Sequence, residues 1–310
     1  MSPTGRPEGE YRSAQHEGSP VSPTGRPEGE YRSAQHEGSP VSQTDLNAEE
    51  TPAAADDATD IVLSRLTLAD PLRWLALGWR DFRSCPLIGV FYGFCFMIMG
   101  WALMEVYETA PAYVMALSAG FLLTGPFLCL GLYRASQRLE RGEKPDLGDS
   151  LFAFEAKAGT LGIFGLVLLV LELLWARATL VIFALSFDGM PDLRGSLLAL
   201  TSPANIGFTL AWLGIGAIFA GIIFSVSVVS IPMILDRQTD AITAGLTSLR
   251  VVLTQTPVML LWGALITALV ALALLPWFAG LPVLGPVIGH ASWHAYRAAV
   301  STSGGTAAPL

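Results

Sequence analysis

Glu172 is the side chain with the widest chemical scope in this sequence. It interrupts an apolar run that starts at Ala158 and, beyond Glu172 and Arg177, continues to Phe187. In a helix starting near Ala158, it lies about 20 Å along the axis. A carboxylate at that depth in a bilayer is costly and marks a proton or ion path in many membrane proteins. Arg177 follows five residues later, roughly 140° round a helix, which is a poor position for pairing. The simpler reading takes Trp175 as an outer-interface marker, with Glu172 and Arg177 snorkelling towards it. It is preferred here.

Two further groupings have ligand-like spacing. His290 and His294 are one helical turn apart and could present two imidazoles to a metal or a haem edge. A haem-copper oxidase core needs more intramembrane histidines than these two, because His16 and His36 belong to a polar N-terminal repeat. Trp293, Tyr296 and Arg297 in the same segment make it read as a helix end at the membrane interface. Asp236, Arg237 and Asp240 could hold Mg²⁺ and a phosphate. No second acidic motif accompanies them, and a helix-ending charge pair followed by an N-cap explains them more simply. Asp146 and Asp149 have the same weakness. The sequence has no HExxH, GxSxG, Walker A or GxGxxG motif. No catalytic residue, cofactor or metal is expected, and the chain reads as a non-enzyme.

The elements that must position these residues are long apolar helices. Of the 310 residues, 52% are hydrophobic and only 14% charged, well under the usual quarter for a soluble domain. Residues 1–60 hold 4 Arg and 12 Asp or Glu, so they carry the entire net charge of −8. Ser2–Val21 is repeated without change as Ser22–Val41. This stretch is rich in Pro, Gly, Ser and Glu, and it is expected to be a disordered tail. It has no apolar segment of the secretory type. Cys85, Cys95 and Cys129 share no CxxC spacing and read as small apolar residues.

A crossing helix needs about 20 apolar residues. Uncharged or nearly uncharged runs occur at Pro86–Met104, Thr109–Tyr133, Ala158–Phe187, Gly195–Leu235 and Val251–Gly289. In the fourth run the span is placed at Ile206–Leu235, with Gly195–Asn205 as an outer loop. The fifth run would reach about 60 Å as one helix, twice the hydrocarbon thickness. Pro276 to Pro282 reads as a turn that splits it into spans near Val258–Leu275 and Leu281–Tyr296. The expectation is an all-α, polytopic bundle of six transmembrane helices over residues 61–300, with a flexible tail at 301–310. A re-entrant sixth segment is the alternative, because Gly285, Pro286 and Gly289 weaken it.

With this count, 12 Lys or Arg fall on one side and only Arg177 and Arg194 on the other. The positive-inside rule then makes both termini cytoplasmic. Three short amphipathic helices are expected on that side, with apolar rows Leu68-Leu72-Leu75-Trp79, Leu147-Leu151-Phe154-Ala158 and Ile242-Leu246-Leu249-Leu253. Helices of this kind lie in the headgroup region. Asp146 and Asp240 stand where N-caps would be. Small residues at Gly216, Ala217, Ala220 and Gly221, and at Gly285 and Gly289, suit close helix approach. Pro126 and Pro232 are placed to kink or end helices.

Asp70-Pro71-Leu72-Arg73-Trp74-Leu75 with Gly78-Trp79-Arg80-Asp81-Phe82, Gly131-Leu132-Tyr133, Ser230 to Arg237 and Pro282-Val283-Leu284-Gly285 resemble an uncharacterised family of bacterial integral membrane proteins, a domain of unknown function. Some of its members are labelled cytochrome oxidase subunit I-like, a label that the histidine count here does not support. The resemblance implies a six-helix membrane body and no activity. The expected role is an accessory, assembly or scaffold component of the inner membrane. A small transporter or channel using Glu172, or a lipid-acting enzyme using Asp236 and Asp240, are the alternatives. Expected partners are the lipid bilayer and a membrane protein complex or further copies of the chain; nucleic acid is not among them.

Overall fold

The computed structural model describes residues 61–109, 114–186, 203 and 205–302. The duplicated tail, nearly all of the expected outer loop Gly195–Asn205 and residues 303–310 lie outside them.

Proline and charge set the helix boundaries. Helix α1 (Asp70–Ser84) opens with Asp70, whose Oδ2 accepts from Thr67 N at 2.6 Å and Thr67 Oγ1 at 2.9 Å, and has Pro71 in its first turn. Pro86 starts α2 (Pro86–Thr109). Helix α3 (Val114–Glu140) contains Pro126. Helix α4 (Leu147–Leu151) is capped by Asp146, which accepts from Asp149 N, as expected. A single 3₁₀ turn, Glu155–Lys157, leads into α5 (Ala158–Ser186).

Helix α6 (Ile206–Ser227) stops just before α7 (Ser230–Asp236). Pro232 lacks the N–H that would bond the carbonyl of Val228, and its ring crowds that carbonyl, so the helix breaks upstream of it. Helix α8 (Ala241–Thr254) is capped by Asp240, which accepts from Ile242 N and Thr243 N. It also repairs the break. Val229 N donates to Ser248 Oγ at 3.2 Å, and Ser248 Oγ donates to Ser225 O at 2.8 Å. Helices α9 (Thr256–Leu274) and α10 (Leu281–Ala299) each have proline in the first turn.

Four stretches among the described residues are long and apolar enough to cross a bilayer: Pro86–Thr109, Leu147–Ser186, Ile206–Asp236 and Thr256–Leu274. The described helices also include α3 and α10, where the sequence puts its second and sixth spans.

Helix α10 forms the centre. Twelve of its 19 residues are buried, and it packs against α1, α2, α3 and α9. Close approach depends on glycine at several points, Gly78 and Gly289 among them. A Cβ on Gly78 would stand 2.6 Å from Val287 O and 2.7 Å from Ala291 N, and one on Gly289 would stand 2.5 Å from Leu132 Cδ1. The expected close packing at Gly289 is therefore present. The opposite holds for α6, where no residue is buried. A Cβ on Gly221 would meet nothing within 4 Å, and one on Gly216 only Trp175 Nε1 at 3.8 Å. That small-residue row does not pack tightly within the chain.

The α9–α10 turn is tight. Trp277 and Phe278 both take left-handed backbone, with φ of 52° and 67°. Trp101 Nε1 donates to Trp277 O at 3.1 Å, and Gly280 N donates to Ala273 O at 3.2 Å. The segments flanking the helical body meet in a two-stranded antiparallel ribbon, β1 (Ile61–Leu63) with β2 (Val300–Thr302). The ribbon takes up Ser301 and Thr302, which the sequence places in the flexible tail; three-residue strands leave no readable alternation.

The amphipathic rows on α1 and α8 are exposed rows. Leu72 and Trp79 stand outward on α1, and Ile242, Leu246 and Leu253 on α8. The buried faces are Pro71, Trp74, Gly78, Asp81 and Phe82 on α1, and Ala241, Ala244, Thr247, Ser248, Val251 and Val252 on α8.

Candidate functional site

Glu172 continues the buried face of α5 formed by Leu161, Phe164 and Leu168. It is only 5% exposed, so it does not snorkel as the sequence reading expected. Among the described residues its Oε2 has no hydrogen-bond partner, and neither have the buried Trp175 Nε1 and Thr179 Oγ1. Spacings of three and four residues put all three groups on one helical face. Gly216 of α6 faces Trp175. Arg177 is exposed, and no ion pair joins it to Glu172 among the described residues. The result is a polar row in the second half of α5 with no partner among the described residues, preceded on the same face by Phe164 and Leu168.

His290 and His294 are buried between helices, at 0% and 8% exposure. His294 Nε2 lies 2.8 Å from Asp81 Oδ2, and His290 Nδ1 lies 2.7 Å from Ser136 Oγ. The aromatic neighbours Trp293 and Tyr296 are buried too. The segment's polarity is therefore that of an interior. Burial raises the Asp81 carboxyl, but the His294 hydrogen bond and charge, with a hydrogen bond to Ser136, outweigh it and hold it below its ordinary value. No group of described residues could hold a metal ion.

Asp236, Arg237 and Asp240 do not converge. Asp240 caps α8. Asp236 accepts from Gln137 Nε2 at 2.8 Å, Tyr296 OH at 2.8 Å and Arg297 Nη1 at 3.3 Å. Arg237 Nε donates to Tyr296 OH at 2.9 Å, and its Nη2 donates to Val300 O at 3.2 Å. Glu140 accepts from Trp293 Nε1 and Arg297 Nε, both at 3.0 Å. Gln137 links this group to a second one. Arg134 donates to its Oε1 at 2.9 Å and grips Asp149 with two bonds, at 2.9 and 3.1 Å. Arg138 adds a third at 2.8 Å. The two guanidinium groups pull the Asp149 carboxyl down to about 2. One continuous polar network therefore joins α3, α4, α7 and α10.

Sequence reasoning missed Asp81, Ser136, Gln137, Glu140 and Tyr296. A signal for Asp81 existed: Trp74, Gly78 and Asp81 form a second row at spacings of four and three, on a different face from the leucine row. A cavity of about 180 Å³ between α2, α3 and α4 is lined mainly by apolar groups, with Tyr92, Thr124 and Ser150 as its polar members.

Residues 114–236 match the model of a family described as "Predicted integral membrane protein (DUF2189)". This chain is an integral membrane protein. The match runs from α3 through α7, taking in Gly131–Tyr133 and Ser230–Asp236 of the resembling motifs and leaving out Asp70–Phe82 and Pro282–Gly285. Neither a curated protein nor a solved structure matches the chain.

Proposed function

We propose that this integral membrane protein is a non-enzymatic accessory, assembly or scaffold component of a bacterial inner membrane, crossing it six times with both ends cytoplasmic. The observation that carries the reading is the use made of the cytoplasmic-side charges. Asp236, Glu140, Asp149, Arg134, Arg138 and Arg297 are bound to one another or to neighbouring side chains. Groups held in such a network fix helices in register and are not free to bind a phosphate or move protons in a reaction. The lipid-enzyme alternative needs Asp236 and Asp240 on one pocket, and each is committed to a different structural task.

Pairing of β1 with β2 supports an even number of crossings, because it brings the two ends of the membrane body to one side. A sixth segment returning to the outer face would separate them. The sparsely buried α5–α6 pair, with open glycines on both helices, is a surface that another membrane helix could cover. Purification from native membranes in mild detergent, followed by mass spectrometry, tests the role directly. A stoichiometric set of partners supports it.

A second reading, ion or proton transport, is favoured by the unpartnered row Glu172, Trp175 and Thr179. Proteoliposome flux that is unchanged by Glu172→Gln would remove it.

A further inference from the structure

Two helices share an arrangement of three faces. On α1, with Leu68 just before it, the row has Leu68, Leu72 and Trp79 exposed and Leu75 half-buried against the core, and it lies beside the buried face. Arg73 and Arg80 each follow a row residue by one position, about 100° further round. On α8, Ile242, Leu246, Leu249 and Leu253 form the row, and Thr243 and Arg250 follow by the same single step. Reading round either helix, the order is buried face, apolar row, cation, save for Arg83 in the last turn of α1, which falls on the side of the row. A helix lying at a membrane surface needs this order, with its row in the acyl boundary and its cations beside the headgroups.

Arg73, Arg80 and Arg250 are also less committed than the cations of the polar network. Arg134, Arg138 and Arg297 have close carboxylate partners. Arg73 meets Asp70 only at 3.5 Å and is 72% exposed. Arg80 meets Asp81 at 3.9 Å, is 68% exposed, and faces a carboxylate whose other oxygen is taken by His294. Arg250 is exposed and has no ion pair among the described residues.

We infer that α1 and α8 form an inner-leaflet collar that binds anionic phospholipid, with Leu72, Trp79, Leu246 and Leu253 among the acyl chains and Arg73, Arg80 and Arg250 on the lipid phosphates. Charge complementarity chooses the occupant. An apolar protein partner would be served by the leucine rows alone. The regularly placed arginines add a set of donors for phosphate oxygens.

The full chain is exchanged into detergent micelles doped with equal phosphatidylglycerol and phosphatidylcholine, and the retained lipid is quantified by mass spectrometry. The wild-type protein should retain phosphatidylglycerol several-fold over phosphatidylcholine. The triple variant Arg73→Gln, Arg80→Gln, Arg250→Gln should bring the ratio close to one without changing the elution profile. Arg141→Gln with Lys144→Gln, two exposed cations away from the collar, should leave the ratio high. No enrichment in the wild type, or equal enrichment in the triple variant, overturns the proposal. So does efficient cross-linking between copies through Leu72→Cys or Leu246→Cys in liposomes, which would make the same face a protein interface.

Discussion

Asp81 Oδ2 and His294 Nε2 lie 2.8 Å apart in the buried contact between α1 and α10, although 213 residues separate them in sequence. The pair fastens the amphipathic entry helix to the central helix. Around it, Gly78 lets the two backbones touch and Phe82 packs over Gly89. Asp81→Asn keeps the shape but removes the carboxylate charge. We expect a loss of a few kcal/mol, because one partner of a buried charge-assisted bond is removed while the other stays buried. Thermal unfolding in detergent should show a clear fall in Tm, and an unchanged Tm would deny the contact.

Asp149 gives a pH prediction. Its folded value, about 2, is below the unfolded value near 3.9, so its contribution to stability is complete above about pH 5 and is lost as pH falls towards 2. The Tm gap between wild type and Asp149→Asn should be steady from pH 7 to about 5 and should close below pH 4. A gap that widens on acidification would mean that Arg134 and Arg138 do not hold the carboxylate.

Glycine contacts separate the tight core from the open arm. Gly78→Ala pushes a methyl group into the fixed backbone of α10, at 2.6 Å from Val287 O, and should cost about 1–3 kcal/mol. Gly221→Ala meets nothing within 4 Å and should be neutral or slightly stabilising. Paired melting curves check both, and equal effects would contradict the described packing.

Much of this arrangement was legible in the sequence, for identifiable reasons. Pro86, Pro257 and Pro282 open helices near where the sequence places its first, fifth and sixth spans, and the Pro276–Pro282 cluster marks a real turn. Asp146 and Asp240 cap the helices they precede. The Asp81–His294 pair was not legible, because no local spacing reports a contact between residues so far apart in the chain. The amphipathic rows were found, but a row in a membrane protein can face lipid as readily as a core. On α8 the inner face is made of smaller and more polar residues, and on α1 it mixes Gly78 and Asp81 with Trp74 and Phe82. Glu172 was singled out correctly as unusual, while its burial depends on how α6 lies against α5, which its own helix does not reveal.

Glu172→Leu should raise Tm in detergent. A buried carboxylate oxygen without a partner costs about 1–3 kcal/mol, and an apolar replacement of similar size removes that cost. A fall in Tm would mean that the carboxylate has a partner in the folded protein.

Ser248→Ala removes the hydroxyl that bridges Val229 N and Ser225 O across the α6–α7 break. The freed amide is buried and the carbonyl half-buried, and about 1–3 kcal/mol should be lost. Hydrogen exchange should rise at Val229 and its neighbours, and unchanged protection there would show that the break is held by other contacts.

Purification of the tagged chain from its native membranes in mild detergent, with quantitative mass spectrometry of everything that comes with it, tests the central claim most directly. An accessory component should bring a stoichiometric set of membrane partners, retained in Glu172→Gln. A clean preparation of this chain alone, together with ion flux in proteoliposomes that Glu172→Gln abolishes, would contradict it.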